Sequence, residues 1–134
     1  MKVTIEDLVH LPLHDADFIL FEVRPQEQGG LAAFLVLVLH ADEYKEFVAA
    51  TGLTNRRIKI TFSNCWIVES AFWGHGKRRE ELLSLDVVEP SPLLQRLRDS
   101  GAALDRVLSH VRIELSAGSR ADVVAESVGI EDFS

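Results

Sequence analysis

Alternation of apolar and polar residues with a period of two constrains this chain more than any other feature. In Arg57-Ile58-Lys59-Ile60-Thr61-Phe62 the residues Ile58, Ile60 and Phe62 fall on one side, and Arg57, Lys59 and Thr61 on the other. Successive side chains of a strand point to opposite faces, so the segment reads as a strand with one wet face. Val111-Arg112-Ile113-Glu114-Leu115 repeats the pattern. Ser116-Ala117-Gly118-Ser119 then supplies turn chemistry, and a Val-rich extended segment runs from Ala121 to Val128. These three pieces predict a β-hairpin.

Two segments are more continuously apolar: Phe18 to Val23, and Leu31 to Leu39. A polar loop with one proline and two glycines, Arg24 to Gly30, joins them as a second antiparallel pair. Unbroken apolar character predicts central strands covered on both faces. Trp66 to Glu69 and Leu82 to Val88 are further expected strands, separated by a loop at Gly74-His75-Gly76-Lys77.

Helices are few. Ser91 followed by Pro92 is an N-cap and first-turn pair, Leu93, Leu94 and Leu97 make an apolar stripe, and Gly101 is placed to end it. Asp42 is the expected cap of a second helix bearing Tyr44, Phe47, Val48 and Thr51 on one face and closing at Gly52. Thr4 begins a short third one. Strands and helices do not alternate along the chain, which argues against a doubly wound parallel sheet. The expected fold class is α+β and predominantly antiparallel: a six- to eight-stranded sandwich or half-open barrel with two or three short helices. No repeat or linker divides the sequence, so residues 1–134 read as a single domain.

Composition narrows the function classes. A net charge of -7 disfavours binding to phosphate backbones. The basic run Lys77-Arg78-Arg79 is neutralised at once by Glu80-Glu81. The longest apolar run has nine residues, Leu31 to Leu39, against about 20 for a membrane-spanning helix. The start of the chain carries Glu6 and Asp7 where a secretory signal would be apolar. With a single cysteine, Cys65, no internal disulfide can form. A cytoplasmic location, with no nucleic-acid or membrane partner, is the expectation.

Chemistry-bearing residues are scattered. His14 beside Asp15 offers a general base and a carboxylate to orient it. Neighbours in an extended chain point apart, however, and Asp15 equally suits a local turn. Cys65 is a nucleophile only if its thiol is activated by a base such as His75; otherwise it is a buried apolar side chain. His10 and His14 are the one close histidine pair among His10, His14, His40, His75 and His110, and Pro12 breaks any helix that would align them. No metal site or cofactor is therefore expected. Gly74-His75-Gly76-Lys77 lacks the length and the Lys-Ser/Thr ending of a phosphate loop. Trp66, Phe72 and Trp73 beside His75 and Lys77 form an aromatic and basic segment of the kind that anchors interfaces, or else core packing.

The order of these motifs carries a resemblance. Leu13-His14-Asp15-Ala16, the two apolar strands, Ile60-Thr61-Phe62-Ser63-Asn64-Cys65, and the closing pair Val111 to Leu115, Gly118, and Val123 to Glu126 follow one another along most of the chain. This resembles small uncharacterised bacterial β-rich proteins that open on a His-Asp-small motif. Some of these are similar to the immunity proteins that neutralise polymorphic toxins. The resemblance implies a binding role and carries over no catalytic residue.

Three functions follow, in order. The first is a non-enzymatic protein-interaction module, immunity-like or complex-forming, with a basic protein partner and Trp66, Phe72, Trp73, His75 and Lys77 as its contact residues. The second is a small-molecule-binding protein or hydrolase-type enzyme drawing on His14, Asp15, Cys65 and His75. The third is a structural homo-oligomer subunit paired through an edge strand.

Overall fold

The alternating segment at Arg57–Phe62 is the first part of one long strand. In the computed structural model, which describes residues 1–72, 79–103 and 105–133, the elements run β1 (Lys2–Val3), α1 (Ile5–Val9), β2 (Asp17–Pro25), β3 (Leu31–Val38) and α2 (Ala41–Thr51). They continue through β4 (Arg57–Ala71), β5 (Leu82–Val87), α3 (Pro92–Asp99), β6 (Ser109–Leu115) and β7 (Arg120–Asp132). Among the described residues the strands form one antiparallel seven-stranded sheet in the order β2-β3-β4-β7-β6-β5, with β1 added to β7. The predicted antiparallel α+β class is the observed one.

The sheet is open as a ladder, yet it curls until its first and last strands touch. Leu82 donates its N–H to the Ala16 carbonyl (2.8 Å), Phe18 to Glu80 (2.9 Å) and Asp15 to Leu82 (2.9 Å). These bonds flank an antiparallel bridge between Asp17 and Glu81. Of the two expected architectures, the sheet is thus the half-open barrel. Curvature comes from β4 and β7, which are long and pair over most of their length, from Ile58 opposite Asp132 to Ala71 opposite Arg120. Asn64 takes a left-handed conformation (φ 53°), and the register shifts between Cys65 and Ile67. Bulges of this kind bend a strand and increase its twist.

The concave side holds the main core. Leu35, Leu37, Ile58, Ile60, Phe62, Val111, Ile113, Leu115, Val123 and Ile130 are buried there, joined by Leu8 of α1 and Phe47 of α2. A smaller cluster on the convex side packs Leu93 of α3 and Leu108 against Val124 of β7. The hairpin at 116–119 and the helix caps at Thr4, Ser91 and Gly52 form as the sequence implies. Thr4 Oγ1 accepts from Asp7 N, Ser91 Oγ accepts from Leu94 N, and Gly52 ends α2 with φ 76°.

Three expectations change. Trp66–Glu69 is not a separate strand but the continuation of β4 beyond the bulge. Helix α2 starts two residues earlier than a cap at Asp42 requires. His40 occupies the cap position without a side-chain capping bond, and Asp42 lies in the first turn. The segment Phe18–Val23 is an edge strand rather than a central one, with Ile19 43% and Val23 39% exposed. Its aromatic residues are covered by a ring instead of a layer: Phe72 stacks on Phe18 and on Phe21, with ring centroids 5.6 Å apart in both pairs. β3, by contrast, is central and buried on both faces, as its unbroken apolar run predicts.

Candidate functional site

The seam between β2 and β5 gathers charge. Phe18 N to Glu80 O and Leu82 N to Ala16 O are the two bonds that frame a non-hydrogen-bonded antiparallel pair, so Asp17 and Glu81 sit directly opposite at the position where side chains come closest. His40 follows β3, whose Val38 pairs with Asp17, and brings Nε2 to 3.4 Å from Asp17 Oδ1. The ligating atoms of Asp17, His40 and Glu81 all lie within 4.8 Å of one another. Arg79 approaches Asp17 at 3.9 Å on a side chain that is 86% exposed.

Three buried side-chain atoms at or next to this group have no hydrogen-bond partner among the described residues: His40 Nε2, Glu43 Oε2 and Glu80 Oε1. Burial raises the Glu43 carboxyl above its ordinary range. The Asp15 charge raises it further, while His14 and His40 pull it back. His14 and Asp15 themselves meet at 3.3 Å, on side chains that are more than half exposed. The contact exists because Asp15 adopts φ 67°, so the chain there is not extended. His14 Nδ1 donates to the Leu83 carbonyl at 2.9 Å, which leaves Nε2 facing Asp15.

The other sequence-derived candidates lie elsewhere. Cys65 pairs with Leu31 at the start of β3, whereas Asp17 pairs with Val38 at its end. Seven residues of antiparallel strand at about 3.4 Å each put Cys65 roughly 24 Å from the seam. Its thiol is buried, donates to the Phe62 carbonyl, and is pushed up to about 11 by burial. Trp66, in the second half of β4, and Phe72, just after it, are 42% and 40% exposed. Trp73, His75 and Lys77 lie outside the described residues. His14 lines a cavity of about 220 Å³ with Leu8, Leu13 and Leu85, and neither Asp15 nor Cys65 reaches it.

A second polar group escaped the sequence reading. On the convex face His110, 2% exposed, places Nδ1 2.7 Å from Ser91 Oγ and donates from Nε2 to Asp122 Oδ1 at 2.7 Å. Arg112 Nε donates to the same oxygen at 2.9 Å. The order Ser-His-Asp is that of a catalytic relay, but the Ser91 hydroxyl is also the cap of α3 and accepts the Leu94 N–H. The group therefore ties α3 to the β6–β7 hairpin and satisfies every member in doing so. Drawing the hairpin register would have revealed half of it, since Arg112 falls directly opposite Asp122.

Among the described residues, no helix is long and apolar enough to cross a membrane. Comparisons of the chain with known protein families, with curated proteins and with solved structures found no match.

Proposed function

We propose that the protein is a non-enzymatic, complex-forming module of the cytoplasm, immunity-like in its role. It receives an extended, basic segment of a protein partner along the outer edge of β2. The observation that carries this reading is that edge itself. Beyond the bridge at Asp17, no described strand pairs with it. An unpaired edge presents a row of backbone donors and acceptors, and adding a strand to such an edge is a recurrent way of binding peptide.

The surroundings of the edge supply specificity. Ile19 and Val23 are partly exposed along it, and Phe18, Phe21 and Phe72 form an aromatic shelf beside it. Asp17, Glu80 and Glu81 stand at one end, and the chain carries a net charge of -7. Such a field would speed encounter with a basic partner and disfavour acidic ones. The enzymatic alternative has less support: His14 and Asp15 are far from Cys65, and the Cys65 thiol is held un-ionised at neutral pH.

A photoreactive amino acid at position 19, irradiated in native lysate, tests the reading. The expected product is a cross-link to a basic protein that disappears in the variants Val23→Lys and Asp17→Lys. Cross-linking only to a second copy of the chain would replace the reading with self-association. A pattern indifferent to both substitutions would refute it.

A further inference from the structure

We propose that Asp17, His40 and Glu81 form a binding site for a divalent transition-metal cation of the zinc class, which clasps the barrel seam. The inference is independent of the partner reading, because it concerns the metal alone.

Its first support is an electrostatic anomaly. Two carboxylates directly opposite on the closest-approach pair of an antiparallel bridge repel each other. The nearest described guanidinium, Arg79, is mostly in solvent and reaches only Asp17, at 3.9 Å. The second support is His40. The side chain is 43% exposed, but its Nε2 is covered and makes no hydrogen bond among the described residues, although a carboxylate oxygen stands 3.4 Å away. A nitrogen that faces an acceptor without bonding to it is arranged as a ligand would be.

The third support is the spacing. Zinc holds imidazole nitrogen and carboxylate oxygen at about 2.0–2.2 Å, and two ligands of a tetrahedron of that radius are about 3.4 Å apart. The His40 to Asp17 separation is 3.4 Å, and the whole donor set fits within 4.8 Å. One imidazole and two carboxylates suit zinc and its neighbours in the first transition row. The three ligands come from the starts of β2 and α2 and from the residue preceding β5. A bound cation would thus cross-link three segments at the seam, adding to its backbone bonds and to the His14–Leu83 and Arg79–Asp17 contacts. It would also neutralise the bridge.

The test is isothermal titration of the untagged full chain with zinc chloride, accompanied by thermal unfolding with and without the metal. The expected result is one zinc per chain and a rise in the unfolding temperature. His40→Ala, Asp17→Asn and Glu81→Gln should each weaken binding by at least about tenfold, the lower range seen when even outer-shell partners of a metal are removed. His14→Ala should bind as the parent does. If one variant fails to fold without metal, the other two make the same comparison. Absence of binding overturns the proposal. So does binding that survives all three substitutions, or binding that His14→Ala abolishes.

Discussion

Replacing Asp122 with alanine should destabilise the protein by about 3 kcal/mol, and the structure shows where that figure comes from. Asp122 is 5% exposed, and its Oδ1 accepts from His110 Nε2 and from Arg112 Nε. Without it, the His110 N–H is left buried and unpaired, which costs about 1–3 kcal/mol, and a charge-assisted bond worth about 1.5–3 kcal/mol is lost. Arg112 is 35% exposed and can turn to water, so its loss adds little. Removing a buried carboxylate also relieves part of its desolvation cost, which brings the total toward the lower end of the summed range. Urea unfolding followed by far-UV circular dichroism measures the change, with the slope on denaturant unchanged. The double variant His110→Ala/Asp122→Ala should cost about 1 kcal/mol or more less than the sum of the single ones, because no orphaned donor remains. Asp99→Ala, which loses only the exposed bond from Gln95, should stay within about 0.5 kcal/mol of the parent. A loss below about 1 kcal/mol for Asp122→Ala, or strict additivity in the double variant, would refute the view that this network pins α3 to the sheet.

Two further outcomes follow from Cys65 and Glu43. With its thiol pushed up to about 11, Cys65 should be roughly one part in a thousand ionised at pH 8, so a thiol reagent should label the native chain far more slowly than the chain in urea; equal rates would contradict its burial. Glu43 has a raised carboxyl pKa in the fold, so folding is favoured below the ordinary carboxylate range near 4.3, and that advantage is lost as pH rises through the raised value. Glu43→Gln should therefore unfold at a higher temperature than the parent at pH 7, with the gap closing toward pH 4, as read by thermal melts across that range.

The parts of the fold visible in the sequence are those set by local rules. The β6–β7 hairpin follows from alternation and turn residues, and α3 from a serine cap, a first-turn proline and an apolar stripe. Long-range closure leaves no such trace. Asp17 and Glu81 meet only because the curled sheet brings β2 to the start of β5, and His40 joins them because the β2–β3 register sets Val38 against Asp17. No spacing rule for metal ligands spans those separations. β4 misled for a different reason: the left-handed Asn64 and the bulge after Cys65 reset which residues face inward, so one strand reads as two. The edge position of β2 was hidden because hydrophobicity alone does not distinguish a strand covered by neighbours from one covered by the Phe72 ring.

Nuclear Overhauser spectroscopy on labelled protein tests the seam most directly. Asp17 and Glu81 form a non-hydrogen-bonded antiparallel pair, so their α-protons should give a strong cross-strand contact, and the Leu82 amide, bonded to Ala16, should exchange slowly with solvent. A missing contact together with a Leu82 amide exchanging as fast as an unprotected loop would mean that β2 and β5 never meet, and the clustered carboxylates and histidine would have no common site.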